Sequence, residues 1–438
     1  MAKRENIIPA ERPTENTIPL KLSDLDVKGR EIAGLEPKIE KFSRLTAKDF
    51  TLRQKLEEIS SDLDLESAFI FVNPLSGTEE RLVEAPHWRT ISTKAHAEYT
   101  MPNGRTKHYY TFNTKGCGYL KPSLKGGNTI DKYDDWHRTN EYGAEGAYGL
   151  AQMSGTFIDD EDVELVDKTK WLTENGLRTE LYWGVAELKN IYYKGKLVSI
   201  KKLKEKGIIP NEYDYVPAMG VRLLKTNTRI AEITETDDVA RAVALFKDAF
   251  KTFNQENTDE DLGYAELIFG DQKSEETFFK TFFERMGKNL AVLQNLGIIG
   301  WGLHSANVTM AAEIVDIGDC NVWTHYQKVE NGDDYIQKHS GVRRGSLKDA
   351  RDIAYGLKNL IQTGNDLGMK ISYKEVLVDK FMDALENNLN EEMLRTQEYK
   401  KEEIISAIRK ILKATIINGK KLPALKHGHK ISDWGLGL

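Results

Sequence analysis

The sequence predicts an α+β protein, because segments rich in β-forming residues fill its first half and helical apolar patterns fill its second half. At 438 residues the chain is too long for one small core and fits two lobes, or two to three domains. We therefore expect an N-terminal arm over 1–45, a β-rich N-lobe with one key helix over 46–230, and a helical C-lobe over 231–438.

Composition argues against several classes of protein. Hydrophobic residues make up 40% of the chain and charged residues 30%, which is ordinary for a soluble globular protein. The net charge of −6 argues against a dedicated nucleic-acid binder, and no apolar run has the length of a membrane span. The charged start has no apolar stretch behind it, unlike a signal peptide, and two cysteines, Cys117 and Cys320, are too few for a disulfide framework. We expect a cytoplasmic protein without nucleic-acid or membrane partners.

The first elements of the N-lobe are a predicted helix and a predicted set of strands. The helix is predicted over 45–65, with Thr46 or Asp49 near its start, because both residue types cap free backbone amides. Residues 67–120 predict β structure, since β-branched and aromatic residues cluster there. An Asn-Gly pair at 103–104 has the composition of a hairpin turn within this region.

The rest of the N-lobe is predicted to contain a loop, the key helix and a strand. Residues 121–150 are rich in glycine, asparagine, aspartate and tyrosine, which predicts a long ordered loop. The helix is predicted over 173–191, with Thr173 as its cap. A strand over 218–224 follows.

The second half is predicted to be helical. A capping signal at 236–238 precedes four apolar residues at helical spacing: Val239, Val243, Phe246 and Phe250. A second apolar stripe over 279–293 ends at Gly297. A short strand is predicted over 313–317, and amphipathic patterns over 346–417 predict three or more helices.

A pair of oxygen-bearing residues lies in and after the loop that follows Gly297. Asn307 ends the loop, and Asp316 follows nine residues later as the aspartate of an Asp-x-Gly sequence. Protein kinases hold Mg²⁺ against the nucleotide phosphates with an asparagine and an aspartate in this order. Amide and carboxylate oxygens are ligands that Mg²⁺ prefers, so Asn307 and Asp316 are candidate metal ligands, with ATP and Mg²⁺ as candidate cofactors. Kinases also have a catalytic aspartate five residues before that asparagine, where this chain has Gly302.

Further motifs occur in a fixed order along the chain. They are Lys-Gly-Cys-Gly at 115–118, two arginines seven residues apart at Arg222 and Arg229, and Leu-Gly-Ile at 296–298 ahead of Asn307 and Asp316. With the aspartate missing at Gly302, these motifs make the chain similar to the selenoprotein O family of adenylyltransferase pseudokinases. The resemblance covers the β-rich half and continues through Asp319. It implies a protein-kinase-like bilobal fold, with the nucleotide between a β-rich N-lobe and a helical C-lobe.

The resemblance also implies an activity and a set of residue roles. Members of the family bind ATP and transfer AMP to protein hydroxyls, so a nucleotide and a protein acceptor are the expected partners. By position, Lys115 would contact phosphate and pair with a helix glutamate, for which we favour Glu187 over Glu180. Arg222 and Arg229 would hold the terminal phosphates, because the planar guanidinium suits that role. Taken singly, each of these residues could equally be a surface or structural residue, and their order along the chain carries the prediction.

One position departs from the family pattern. The family has an aspartate directly before the metal-binding asparagine, as the base that activates the hydroxyl, and this chain has Ala306 there. His304 or Asp319 could replace that base, and an ordinary histidine pKa suits the task. Two alternatives to AMP transfer therefore stay open. One is a phosphotransferase that acts on a protein or a small molecule, and the other is a non-catalytic nucleotide-binding scaffold.

Overall fold

The structure is a computed structural model that describes most of the second half of the chain and separate parts of the first half. The described residues are 21–22, 27–29, 41–73, 90–115, 165–193, 196–207, 218–298, 302–317, 338–339, 342–423 and 431–437. They fall into two compact units. The first comprises Met1–Glu98, Tyr109–Val166 and Tyr182–Leu223, and the second comprises Tyr99–His108, Asp167–Leu181 and Leu224–Leu438. The predicted loop over 121–150 lies outside the described residues.

Most of the strands belong to the first unit. They are β1 (Lys21–Leu22), β2 (Val27–Gly29), β3 (Lys41–Arg44), β4 (Phe50–Lys55), β5 (Ile59–Ser61), β6 (Ile70–Asn73), β7 (Thr90–Thr100), β8 (Thr106–Lys115), β9 (Leu181–Leu188), β10 (Asn190–Tyr193), β11 (Lys196–Ser199) and β12 (Ala218–Leu224). Eight of the described strands form one sheet in the order β1-β2-β7-β8-β12-β9-β4, with β5 paired to β7. The pairs β1–β2, β2–β7 and β4–β9 are antiparallel. Strands β3 and β6 form a separate pair, as do β10 and β11.

A close contact fixes the sheet of the first unit on a short 3-10 helix, Leu65–Ala68. A Cβ atom added at Gly184 in β9 would lie 2.6 Å from Cδ2 of Leu65, which is closer than carbon atoms approach. The aromatic rings of Phe112 and Trp183 pack edge to face with centroids 5.2 Å apart. Glycine at 184 therefore lets the helix come close to the sheet.

The turn between β7 and β8 confirms the prediction made from the Asn-Gly pair. Gly104 has a φ of 80°, a conformation that glycine adopts without a steric penalty. Its amide donates to the carbonyl of Met101 at 2.9 Å, and the amide of Arg105 donates to Oδ1 of Asn103 at 3.0 Å. The strand predicted over 218–224 is also confirmed, as β12.

Two of the helix predictions in the first half are wrong. Residues 45–65 form strands β4 and β5 instead of a helix, since β4 pairs with β9 along its length and this pairing outweighs the weak helical pattern. Residues 181–188 form β9 instead of the key helix predicted over 173–191. The first six residues of β9 are all buried, and a strand buried on both faces has a continuous apolar sequence that is easily mistaken for a buried helix.

The helices lie mainly in the second unit. They are α1 (Leu165–Glu174), α2 (Ile200–Glu205), α3 (Ile230–Thr234), α4 (Val239–Asp259), α5 (Gln272–Asn295), α6 (Arg344–Asp366), α7 (Lys374–Asn388), α8 (Glu391–Thr396) and α9 (Lys401–Leu412). Helix α2 belongs to the first unit, and α3 to α9 belong to the second. Two short strands, β13 (Lys338–His339) and β14 (Val342–Arg343), precede α6. None of the helices in the described part of the chain combines the length and apolarity that a bilayer span requires.

The start of α4 and the end of α5 lie where the sequence predicts them. The carboxylate of Asp238 accepts a hydrogen bond from the Arg241 amide at 3.1 Å and caps α4. Helix α5 is capped by Asp271, and Gly297 follows its end with a φ of 71°. The predicted helices over 346–417 are confirmed as α6 to α9, so the protein has the mixed helix and strand content that was predicted.

Aromatic side chains and one glycine hold the long helices together. The rings of Phe250 and Phe278 stack with centroids 4.5 Å apart, which joins α4 to α5. A Cβ atom added at Gly287 in α5 would lie only 2.1 Å from the carbonyl oxygen of Phe381 in α7. The backbones of α5 and α7 therefore touch at this glycine.

The loop between α4 and α5 is tied to α4 by two asparagines. The side-chain amide of Asn254 donates to the Leu267 carbonyl at 2.9 Å and accepts from the Leu267 amide at 2.8 Å. Asn257 makes the same double contact with Tyr264, at 2.7 and 2.9 Å. A hollow of about 590 Å³ lies between the loop and α4, and the side chain of Ile268 on its wall is 60% exposed. None of the predicted site residues lines this hollow.

Candidate functional site

The predicted metal ligands Asn307 and Asp316 come together in the second unit. Asn307 ends a 3-10 helix, Ser305–Asn307, and its carbonyl accepts a hydrogen bond from the Val315 amide at 3.0 Å. Its side-chain Nδ2 donates to the carbonyl of Gly302 at 3.3 Å. Among the described residues no hydrogen bond reaches Oδ1 of Asn307.

The segment that carries Asp316 is not the strand predicted over 313–317. Only isolated bridges form there, between Ile314 and each of Thr179 and Val308. Asp316 has a φ of 57°, in the left-handed region that few residues other than glycine adopt. The chain therefore turns at Asp316, and backbone strain of this kind is concentrated at functional sites.

One of the two predicted arginines contacts the predicted metal ligand directly. Nη1 of Arg229 donates to Oδ2 of Asp316 at 3.2 Å and to the carbonyl of Ala306 at 2.6 Å. The side chain of Arg229 is 3% exposed, whereas that of Asp316 is 25% exposed. The buried cation therefore approaches a carboxylate that keeps access to solvent.

Gly302 stands where kinases have their catalytic aspartate, and its backbone conformation disfavours a side chain. Its φ is 87°, and an added Cβ would lie 3.4 Å from Nζ of Lys348. The Gly302 amide donates to Oδ1 of the buried Asp349 at 3.3 Å. Lys348 also forms an ion pair with Asp352 one turn along α6, at 3.1 Å. The sequence analysis missed these α6 residues, for which the only local signal is their helical spacing.

His304 precedes the 3-10 helix and is exposed, but the protein around its ring still perturbs its pKa. Partial burial lowers the pKa of His304 below its ordinary value, and Lys348 and Arg229 act in the same direction. Asp352 and Asp316 oppose the shift without cancelling it. The imidazole is therefore uncharged at neutral pH and able to accept a proton.

The remaining predicted residues lie elsewhere or outside the described chain. Lys115 is the last residue of β8, and Arg222 is 1% exposed in β12, where its Nε donates to Oδ1 of Asn113 at 2.6 Å. Both belong to the first unit, whereas Arg229, Asn307 and Asp316 belong to the second. Asp319 lies outside the described residues.

Neither of the two glutamates predicted as helix partners of Lys115 lies in a helix. Glu187 lies in β9 and forms an ion pair with Arg53. Glu180 precedes β9 in the second unit, is completely buried, and accepts a hydrogen bond from the Ile317 amide at 3.1 Å. This contact places Glu180 beside the backbone of Asp316.

A buried network of charges lies next to the same segment. Nη1 and Nη2 of Arg178 donate to the two carboxylate oxygens of Glu256 at 2.6 and 2.7 Å, and its Nε donates to the Ala311 carbonyl at 2.6 Å. Arg285 and Lys225 approach the Glu256 carboxylate at 2.9 and 3.5 Å. Burial favours a higher pKa for Glu256, but these three cations outweigh it and hold the pKa well below its usual range. No local motif reveals the network, because its members are far apart in sequence.

Comparison with known proteins adds no relative. No protein-family profile matches the chain, and no curated protein matches it. The resemblance to the selenoprotein O family rests on the sequence motifs alone.

Proposed function

We propose that the protein is an ATP- and Mg²⁺-dependent enzyme of protein-kinase-like bilobal fold that transfers AMP to a protein hydroxyl. The single observation that carries the proposal is the contact of Arg229 with Asp316 beside Asn307. It brings together three residues that were selected from the sequence only by motif order and spacing. A chance set of surface residues would have no reason to converge in this way.

The chemistry of the site residues fits Mg²⁺. Asn307 Oδ1 and the Asp316 carboxylate are hard oxygen donors, and Mg²⁺ is commonly held by one or two protein oxygens while phosphates and water supply the rest. When bound, the ion would offset the negative charge of the nucleotide phosphates. Arg229 would add a planar cation that pairs with phosphate oxygens, and Lys115 and Arg222 belong to the proposal through the family resemblance.

His304 is the proposed base for the acceptor hydroxyl. Gly302 and Ala306 carry no carboxylate at the two positions where related enzymes have one. The lowered pKa of His304 leaves its imidazole neutral, so it could take the proton that the hydroxyl loses. Asp319 remains the alternative base in this proposal.

Two observations favour other functions at the same site. The neutral His304 would serve a phosphotransferase equally well, since both reactions begin with a deprotonated hydroxyl. The absence of a carboxylate at Gly302 and Ala306 favours a nucleotide-binding scaffold without activity. The three functions differ in the part of ATP that reaches an acceptor: AMP, the γ-phosphate or no part at all.

The test compares ATP labelled at the α-phosphate with ATP labelled at the γ-phosphate, each incubated with Mg²⁺, the protein and a cell lysate. We expect α-label on protein and none from the γ-position, and we expect Asp316→Ala to abolish it. Asp237→Ala, an exposed aspartate ahead of α4, is the matched control and should label normally. Transfer of γ-label alone would establish the phosphotransferase, and saturable ATP binding without transfer would establish the scaffold. Absence of any Mg²⁺-dependent ATP binding would reject the nucleotide proposal altogether.

A further inference from the structure

We propose that Glu180 is a positioning residue for Asp316, and that its buried carboxylate holds the Asp316 backbone in the left-handed conformation by accepting the Ile317 amide. The inference rests on the proposed function for its consequence, metal affinity. Its structural basis can be tested without that function.

The amides on both sides of Asp316 are held by hydrogen bonds. Before it, the Val315 amide donates to the Asn307 carbonyl at 3.0 Å. After it, the Ile317 amide donates to Oε1 of Glu180 at 3.1 Å. The Val315 contact fixes the peptide group ahead of Val315, and the Ile317 contact fixes the peptide group that sets ψ of Asp316. The first comes from a residue of the same loop, whereas the second comes from a residue 137 positions earlier in the chain.

A carboxylate is well suited to hold this amide. Glu180 is 0% exposed, so its hydrogen bond does not compete with water. A buried amide without an acceptor is costly, and a carboxyl oxygen can accept its hydrogen bond in either protonation state. The bond can therefore offset the strain of a left-handed aspartate, which is on the order of 1 kcal/mol.

Hydrogen bonds of neighbouring residues align Glu180 with the segment that carries Asp316. The Ile314 amide donates to the Arg178 carbonyl at 2.9 Å, and Oγ1 of Thr179 donates to the Ile314 carbonyl at 2.6 Å. The Glu180 amide donates to the same Ile314 carbonyl at 3.3 Å. Residues 178–180 therefore lie beside the segment that carries Asp316 and are hydrogen-bonded to it at Ile314. The Glu180 side chain adds a further hydrogen bond, to the amide of Ile317.

The consequence for the site is an Asp316 carboxylate with a fixed direction. Without the Glu180 contact, the backbone could relax toward the common conformations and rotate the carboxylate away from Asn307 and Arg229. Partners that orient a metal ligand from outside contribute about 10- to 100-fold to metal affinity in proteins. We therefore expect Glu180 to strengthen metal binding although it does not touch the metal.

The test compares Glu180→Ala and Glu180→Gln with the wild-type protein. The glutamine keeps an oxygen that can accept the Ile317 amide, whereas alanine removes it. Glu187→Ala is the matched control, since Glu187 lies in the following strand and pairs with Arg53. The first readout is hydrogen exchange of the Ile317 amide. We expect exchange to be at least about tenfold faster in Glu180→Ala, from the loss of one buried hydrogen bond, and close to wild type in the other two proteins.

The second readout is the affinity for Mn²⁺ in the presence of ATP, with Mn²⁺ as a probe for the divalent ion. We expect Glu180→Ala to bind Mn²⁺ about tenfold more weakly, and Glu180→Gln and Glu187→Ala to bind it almost normally. Unchanged Ile317 exchange in a folded Glu180→Ala protein would overturn the inference, as would faster exchange with undiminished Mn²⁺ affinity. If Glu180→Ala loses protection throughout the molecule, Glu180→Gln decides. Selective loss of Ile317 protection in that variant would support the contact, and Glu180→Asp, whose shorter side chain should lose Ile317 protection selectively, would overturn the inference if its Ile317 exchange were unchanged. If the wild-type protein binds no Mn²⁺ with ATP, the proposed function fails, and Ile317 exchange still tests the hold on Asp316.

Discussion

Asp316 combines a strained backbone with a carboxylate that reaches solvent. Its φ of 57° is tolerated by aspartate better than by most residues, yet glycine would adopt it more easily. The carboxylate contributes little to the core, because its side chain is 25% exposed. Substitutions at this position can therefore separate the cost of backbone conformation from the value of the carboxylate.

We predict that Asp316→Ala removes Mg²⁺-dependent nucleotide binding and lowers the free energy of unfolding by about 1–3 kcal/mol, because the buried Arg229 also loses its carboxylate partner. Asp316→Gly should abolish binding equally while leaving the protein at least as stable as Asp316→Ala, because glycine accepts the left-handed backbone. Calorimetric titration with ATP and thermal unfolding measure the two effects. Retention of metal-dependent binding in either variant would contradict the assigned role.

The lowered pKa of His304 sets the pH range in which the site can accept a proton. The imidazole is neutral above its folded-state pKa, which lies below the ordinary value, and it becomes charged as the pH falls through that value. We predict a label-transfer rate that is level from about pH 7 to pH 8 and falls below about pH 6.5. His304→Gln should lower the rate and remove the acid-side decline, whereas His96→Gln in the first unit should change neither. An acid-side decline that survives in His304→Gln would assign the base to another residue.

The contact between α5 and α7 leaves no room for a side chain at one glycine, whereas a second helical glycine has space for one. Gly287 in α5 faces the Phe381 carbonyl, with no room for a Cβ, whereas the nearest atom to a Cβ at Gly356 in α6 would be 3.8 Å away. Both positions are helical, where alanine is intrinsically the better residue. The two glycines therefore form a matched pair in which only the packing differs.

We predict that Gly287→Ala destabilises the protein by about 2–3 kcal/mol, because the α5 and α7 backbones must separate. Gly356→Ala should stabilise it by about 0.5–1 kcal/mol, since alanine favours the helix and meets no clash. Chemical denaturation followed by circular dichroism gives both values. A stabilising effect of Gly287→Ala would show that α7 does not pack against α5 at this point.

Helices of the second unit could be predicted from sequence because their signals are local. Asp238, Asp271 and Gly297 lie at the ends of α4 and α5, and each signals the boundary by its own chemistry. Strand β9 could not be predicted in this way, since burial on both faces removes the alternation that identifies a strand. Similarly, β4 owes its conformation to pairing with β9, which no local pattern records.

Across the molecule, the candidate site residues that could be selected from the sequence are those that belong to short motifs. Asn307, Asp316 and Arg229 were found from spacing, and the structure brings them together. Glu180 and the Arg178–Glu256 pair were missed in their observed roles, because long-range contacts between ordinary charged residues leave no signature in one sequence. Their arrangement depends on the fold that brings them together.

One lysine of β8, close to the charge network, gives the whole molecule a pH-dependent stability. Burial lowers the pKa of Lys107 from 10.5 to about 8, with Arg178 and Lys225 acting in the same direction. The folded protein then binds fewer protons than the unfolded chain between these two values, so stability rises with pH across that window. Below about pH 8 both states carry the charge, and the folded state bears the full cost of burying it.

We predict that Lys107→Met raises the free energy of unfolding at pH 7.5 by at most about 3 kcal/mol, at ~1.4 kcal/mol for each tenfold change in proton affinity. The stability advantage of Lys107→Met should shrink as the pH rises from about 8 to about 10.5. In this range the lysine of the folded wild-type protein has already lost its charge, and at the upper end the unfolded chain loses that charge as well. Urea denaturation at several pH values measures the difference between variant and wild type. Lys251→Met, at an exposed position on α4, should show a pH-independent difference. A constant difference for Lys107→Met as well would mean that Lys107 is not desolvated.

The double contacts of Asn254 and Asn257 make the following loop a rigid attachment of α4. Each side-chain amide donates a hydrogen bond to the carbonyl of one loop residue and accepts one from the amide of the same residue, as a neighbouring strand would. A fluorophore attached at Ile268→Cys, after replacement of the two native cysteines, would therefore tumble with α4. Its anisotropy would report reorientation of that helix, with little contribution from independent swinging of the loop.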